Sequence, residues 1–201
     1  CLRGGAAAVA RVVLLGPSHR VPLDGLAVPG VTHFATPLGS VPVDLDSVAV
    51  ARGAPAVVVD DAAHAREHSL EVQLPFLQRV LGAGFALVPL AVGWVRPEAV
   101  AAVLGMLWGG PETLVVVSSD LSHYHPYETA QRLDARTSRQ IEQLAWEELA
   151  PEAACGVTAI QGLLLAARER GLRVRAVDVR NSGDTAGPRD RVVGYGAYVV
   201  Q

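Results

Sequence analysis

The stretch Val12-Val13-Leu14-Leu15-Gly16-Pro17-Ser18-His19 decides how the chain is read. Four consecutive apolar residues, two of them β-branched, suit a short strand buried on both faces of a sheet. Gly16 and Pro17 end that strand and deliver Ser18 and His19 just past its carboxyl edge, where ligands bind in open α/β sheets. The design recurs at Leu114 to Ser118, a second buried strand followed by Ser119-Asp120-Leu121-Ser122-His123. Two strands that each hand a serine and a histidine to the next loop point to one shared pocket.

Outward from these strands the text alternates. Residues 1–10 are alanine-rich and read as the tail of a helix. From Arg20 to Asp44 prolines and glycines punctuate an irregular excursion with an edge strand, because each proline removes a ladder donor. Asp44 is placed to cap a short helix over Leu45 to Ala51, stopped at Gly53. Val57 to Val59 reads as another buried strand. Leu70, Leu74, Leu77 and Leu81 repeat at helical spacing, with Pro75 as a kink or a tight first turn. A strand over Phe85 to Val92 and a helix from Pro97 to about Trp108 follow. A long polar helix is expected from Tyr127 to Leu149, and another from Gly156 to Arg170, closed by Gly171. Strands over Val174 to Val179 and Val192 to Val200 flank a loop. Strands alternating with helices predict an α/β fold: a single domain over 1–201 with a mainly parallel central sheet and helices on both faces.

Composition excludes several functions. The chain of 201 residues is 50% hydrophobic and carries a net charge of -3 with no basic run, which argues against nucleic acid as a partner. No apolar run approaches roughly 18 residues, so no membrane span is expected. Without a charged-then-apolar leader, a cytoplasmic location is the expectation. All 17 basic residues are arginine. That removes a phosphate-loop lysine and a pyridoxal Schiff base. Cys1 and Cys155 form neither a disulfide framework nor a C-x-x-C knuckle.

The remaining residues offer three chemistries. His64-Ala65-Arg66-Glu67-His68 matches the H-x-x-E-H zinc-hydrolase pattern. It requires His64 inside the helix that carries Glu67 and His68, whereas the surrounding text places His64 in a solvated loop. Ser18 beside His19, and Ser119 with His123, lack the G-x-S-x-G elbow of serine hydrolases. Cys155 opens a helix, where the dipole favours a thiolate, yet a small buried core residue is the favoured reading. The metal reading remains. His19 follows one strand, His68 enters a helix after another, and Asp184 lies in the loop Ser182-Gly183-Asp184-Thr185-Ala186-Gly187. Two imidazoles and a carboxylate make the facial triad of non-haem iron sites.

The segments LGPSH (15–19), EHSLEVQLPFL (67–77), VVSSDLSHYHPY (116–127), CG (155–156), NSGDTAG (181–187) and RVVGYGAYVV (191–200) resemble the Memo family, in family order over nearly the whole chain. In bacteria that family is the B component of the AmmeMemoRadiSam system. The resemblance implies a fold like that of the class III extradiol dioxygenases. It matches His19 and His68 to two metal-ligand histidines and brings the third ligand near Asp184 or Thr185. It brings the dioxygenases' catalytic histidine near Thr158, which is no base near neutral pH, so ring cleavage is not expected. It further implies an earlier strand, which the sequence from Cys1 onward is expected to lack.

The expectation is therefore a pocket that can hold iron, copper or zinc through His19, His68 and Asp184, lined by Ser18, Glu67, Ser119, Asp120, His123 and Thr158. The resemblance implies metal-dependent redox chemistry beside a radical SAM protein and an AMMECR-type domain protein. The alternative is a peptide- or protein-binding module on a dioxygenase scaffold, and more remotely a zinc hydrolase using His64, Glu67 and His68.

Overall fold

A computed structural model describes residues 9–201, so the alanine-rich start of the chain, up to residue 8, lies outside the described residues. The fold is α/β, and backbone contacts divide the described residues into two compact units, one up to residue 118 and one over residues 119–201.

The first unit is built on β1 (Arg11–Pro17), whose Val12 to Leu15 are fully buried. It lies between β6 (Ala86–Val92) and β7 (Thr113–Val117) and pairs with both in parallel. Parallel neighbours bury a strand on both faces, which is why β1 reads as an unbroken apolar run rather than an alternation. The remaining strands are β2 (Leu26–Val28) and β5 (Val57–Val59), giving the order β5-β2-β6-β1-β7. The sheet is mostly parallel; β2 runs antiparallel to β6. Thus the excursion after Arg20 contributes an interior strand as well as a hairpin, β3 (His33–Thr36) with β4 (Gly39–Pro42). Conversely, β5 is the sheet's edge, and Val58 and Val59 are exposed instead of buried.

Helices follow local chemistry closely. The Asp44 carboxylate accepts the Ser47 N–H at 2.9 Å and caps α1 (Leu45–Ala51). A short α2 (Ala62–Ala65) precedes a 3₁₀ turn (Glu71–Gln73) and α3 (Leu74–Leu81), with Pro75 in the first turn, where its missing N–H is not needed. Leu70, Leu74 and Leu77 pack with Val12, Leu14, Phe85 and Leu87 in one core cluster. α4 (Pro97–Leu107) buries Val100, Val103, Leu104 and Leu107.

In the second unit, β8 (His123–His125), β9 (Val174–Asn181) and β10 (Val192–Val200) form an antiparallel sheet in the order β8-β10-β9. α5 (Tyr127–Glu142) packs on β9 and β10. It is shorter than its polar pattern predicts, because the backbone turns left-handed at Leu144 (φ 56°). α6 (Val157–Glu169) ends, as expected, at a left-handed Gly171 (φ 65°). No helix of the described residues is long and apolar enough to cross a membrane.

Candidate metal centre

The parallel pairing of β1 with β7 brings both strands to the same sheet edge, where the Ser118 N–H donates to the Leu15 carbonyl at 2.8 Å. Just past β1, the backbone leaves the sheet through Pro17, Ser18 and His19. The loop 66–70, between α2 and the 3₁₀ turn, lies against this exit. Ser69 Oγ donates to the Pro17 carbonyl at 2.8 Å. A Cβ at Gly16 would sit 2.8 Å from Ser69 Oγ and 3.0 Å from Leu70 Cδ2, so only glycine lets the loop approach this closely.

That approach organises the site around Glu67, whose side chain is 1% exposed. Its Oε2 accepts the His19 backbone N–H at 2.5 Å. Its Oε1 meets His19 Nδ1 at 3.0 Å and accepts the backbone N–H groups of His68 (2.9 Å) and Ser69 (3.0 Å). His68 Nδ1 lies 3.2 Å from the same oxygen. Burial alone would raise the Glu67 pKa. The hydrogen bonds from His19 and Ser69, aided by the charge of His19, overcome it and hold the carboxyl at about 2. An ionised carboxylate only accepts, so the protons it meets are carried on Nδ1 of the imidazoles. The coordinating nitrogen left to each ring is Nε2. The rings are stacked, with centroids 5.3 Å apart and planes at 23°. Ligating atoms of His19, Glu67 and His68 lie within 4.8 Å of one another. A carboxylate behind metal-binding imidazoles is the usual device for fixing their tautomer and raising their basicity, so the residues present fit an imidazole-bound ion.

Ser18 does not contribute a free hydroxyl; its Oγ donates to the Val21 carbonyl at 2.8 Å. His64 is not in a solvated loop. It sits inside α2, half-buried, with Nε2 3.0 Å from the Ala27 carbonyl and its ring edge-on to Phe34. Burial lowers its pKa. The helix ends at Ala65, before Glu67 and His68, so one helix does not carry the H-x-x-E-H set.

In the second unit, Ser119 Oγ donates to the Asp120 carbonyl and accepts the Gly156 N–H, both at 2.8 Å. Asp120, His123 and Cys155 bring ligating atoms within 4.8 Å of one another. Cys155 is thus a member of a donor group rather than a core residue. No sequence pattern links it to Asp120, 35 positions away. Thr158 is the second residue of α6. Asp184 closes a capping box: it accepts the Asn181 N–H at 2.8 Å and the Tyr127 hydroxyl at 2.5 Å. Those bonds, Tyr127's first, hold its carboxyl below the ordinary range. It also lines a cleft of about 380 Å³ with Gln131, Asp134, Arg139, Arg180 and Asn181.

A family model described as "Memo-like protein" matches residues 5–199. The chain is 37% identical over 195 residues to a MEMO1 family protein of Aquifex aeolicus, covering 92% of this chain and 73% of the relative. A MEMO1 family protein of Saccharolobus islandicus is 32% identical over 197 residues, covering 92% and 69%. One from Sulfolobus acidocaldarius is 31% identical over 196 residues, with the same coverage of 92% and 69%.

Proposed function

The chain belongs to the Memo family, and from that premise we propose that it is a metal-dependent protein whose ion is held by Nε2 of His19 and His68. One observation carries the reading: Glu67 Oε1 meets Nδ1 of both imidazoles, at 3.0 and 3.2 Å. Structural burial of a carboxylate needs hydrogen bonds, and the three backbone N–H groups already provide them. A carboxylate turned onto both rings fixes their orientation, as such partners do for metal-binding histidines. A bound iron, copper or zinc ion would supply Lewis acidity or electron transfer to a ligand at its open positions. Glu67 orients both rings through Nδ1 and adds negative charge behind them.

The reaction proposed is metal-dependent redox chemistry, in partnership with a radical SAM protein and an AMMECR-type domain protein, as the family resemblance implies. Ring cleavage is not part of it. Thr158 stands where the related dioxygenases need a base, and such a group typically contributes 10²–10⁴-fold. Metal analysis of the purified protein tests the central claim. The wild-type chain is expected to retain one equivalent of ion, and His19→Ala and His68→Ala to lose it, whereas His33→Ala retains it. Equal metal content in all four proteins would end the reading. Oxygen uptake with a catechol on the order of 1 s⁻¹ would restore ring cleavage. The second reading, a peptide-binding module on the same scaffold, is favoured by Thr158 and requires peptide binding that persists after the metal is stripped.

A further inference from the structure

α3 and the 3₁₀ turn before it present unlike faces. Leu70, Leu74 and Leu77 are buried in the core cluster that also holds Val12, Leu14 and Phe85. The flank at Gln78 is covered by the β3–β4 hairpin. Thr36 Oγ1 donates to Gln78 Oε1 at 2.7 Å, and Gln78 Nε2 donates to the Gly39 carbonyl at 3.2 Å. The outer face has no such cover. Val72, Phe76 and Val80 recur along it at every fourth residue and are 45%, 71% and 39% exposed. Side chains at that spacing line up on one side of a helix. Single apolar residues on a surface are ordinary, whereas a row centred on a phenylalanine has the form of a contact.

The row reads the same in both directions: valine, phenylalanine, valine. Its ends carry opposite charges, Glu71 in the first turn and Arg79 in the last. Neither has an ion-pair partner among the described residues. A second copy laid antiparallel on this face, with a two-fold axis at Phe76, sets Phe76 against its own counterpart. Each Val72 then meets Val80 of the other copy. Each Glu71 falls two residues, or roughly 3 Å of helix rise, from level with Arg79 of the other copy, a displacement that an arginine side chain spans. A two-fold makes every such contact twice. A parallel arrangement sets like charges against each other instead.

We propose that the outer face of α3 is a homodimer contact, in which two copies of this chain pair antiparallel through Val72, Phe76 and Val80. Phe76 and the flanking valines supply the attraction, and Glu71 with Arg79 sets the direction. A stable interface buries about 800 Å² per partner, more than one short helix face offers, so the pairing is weak and concentration-dependent.

The test is sedimentation velocity of the full chain in reductant and low salt, from about 1 µM to about 1 mM, the range over which a weak pair forms. The mean mass is expected to rise from that of the monomer toward twice that value. Phe76→Asp is expected to weaken association at least tenfold with the thermal unfolding curve unchanged, because Phe76 lies outside the core. Glu71→Arg and Arg79→Glu, each alone, are expected to weaken association by a similar factor. Mixed in equal amounts, the two single variants restore both opposite-charge pairs and are expected to associate as the unaltered chain does. That recovery is specific to the antiparallel two-fold and requires both variants to be folded. A mass that stays monomeric to the highest concentration overturns the proposal. So does association that survives Phe76→Asp, or a mixture no tighter than either variant alone.

Discussion

Glu67 and Asp184 are both carboxylates held by a backbone N–H and a neighbouring side chain, and in both the carboxyl pKa lies below its ordinary value. Their surroundings differ completely. Glu67 is sealed beneath the loop that carries it, while Asp184 bonds Tyr127 and Asn181 at the solvent-facing surface of its unit. Hydrogen bonds of similar length are worth more where water does not compete for them, and an unpaired group costs more there too. Glu67 is therefore the carboxylate on which stability and site geometry both depend. Asp184 organises a local turn.

The largest expected effect comes from Glu67→Gln. The ordinary carboxyl value of 4.5 falls to about 2 in the fold, a difference worth about 3 kcal/mol. A carboxamide replaces one acceptor oxygen with a donor, facing N–H groups that also donate. Chemical denaturation at pH 7 is expected to show a loss of about that size, and metal retention to fall with it. The sign of the pH dependence follows from the depressed pKa: the contribution is complete above pH 4.5 and is lost as the pH falls through about 2. A Glu67→Gln chain as stable as wild type at pH 7 would erase the contrast.

Removing an imidazole comes next. His19→Ala deletes one partner of Glu67 but leaves the backbone N–H that bonds Oε2. Metal affinity is expected to fall by at least tenfold, with a smaller loss of stability than in Glu67→Gln. Isothermal titration and denaturation on the same samples separate the two effects.

His64 offers a milder perturbation. Burial lowers its pKa from 6.5, so below that pH the unfolded chain takes up a proton that the folded chain resists. Stability is expected to decline as the pH drops from 6.5 toward the lowered value, by at most about 1.4 kcal/mol per pH unit for one proton. His64→Gln is expected to flatten that slope. A wild-type curve already flat over this window would contradict the burial of His64.

Asp184→Ala is expected to change least. Thermal unfolding should barely shift, while hydrogen exchange at the Asn181 amide accelerates as its acceptor disappears. A large drop in melting temperature would show that exposure is a poor guide to what this carboxylate does.

Much of the architecture was legible in the chain. The buried strands read from apolar runs, α1 from its aspartate cap, and the ends of α3 and α6 from proline and glycine. Other elements were silent for local reasons. β2 has three residues between Gly25 and Pro29, too few for a period to appear. The end of α5 is set by a left-handed leucine, a residue type that seldom signals a helix stop. The two histidines of the candidate metal centre are readable from the ends of their elements and from family resemblance. Glu67 reads from the sequence as a lining residue and as part of an H-x-x-E-H match, not as the partner of both imidazoles, since that role depends on a loop meeting a strand 48 positions away. Cys155 was invisible as a donor for the same reason.

The bare backbone at Gly16 has a consequence for how the chain can vary. Because the Ser69 and Leu70 side chains rest directly on it, the gap between the His19 loop and the His68 loop is gauged by side chains against bare main chain. Exchanges among Leu, Ile and Val deeper in the core alter volumes by a methylene and leave that gauge untouched. A single methyl at position 16 wedges the loops apart. The interior thus tolerates change more readily than position 16, where the hydrogen of glycine is all that fits beneath Ser69 Oγ.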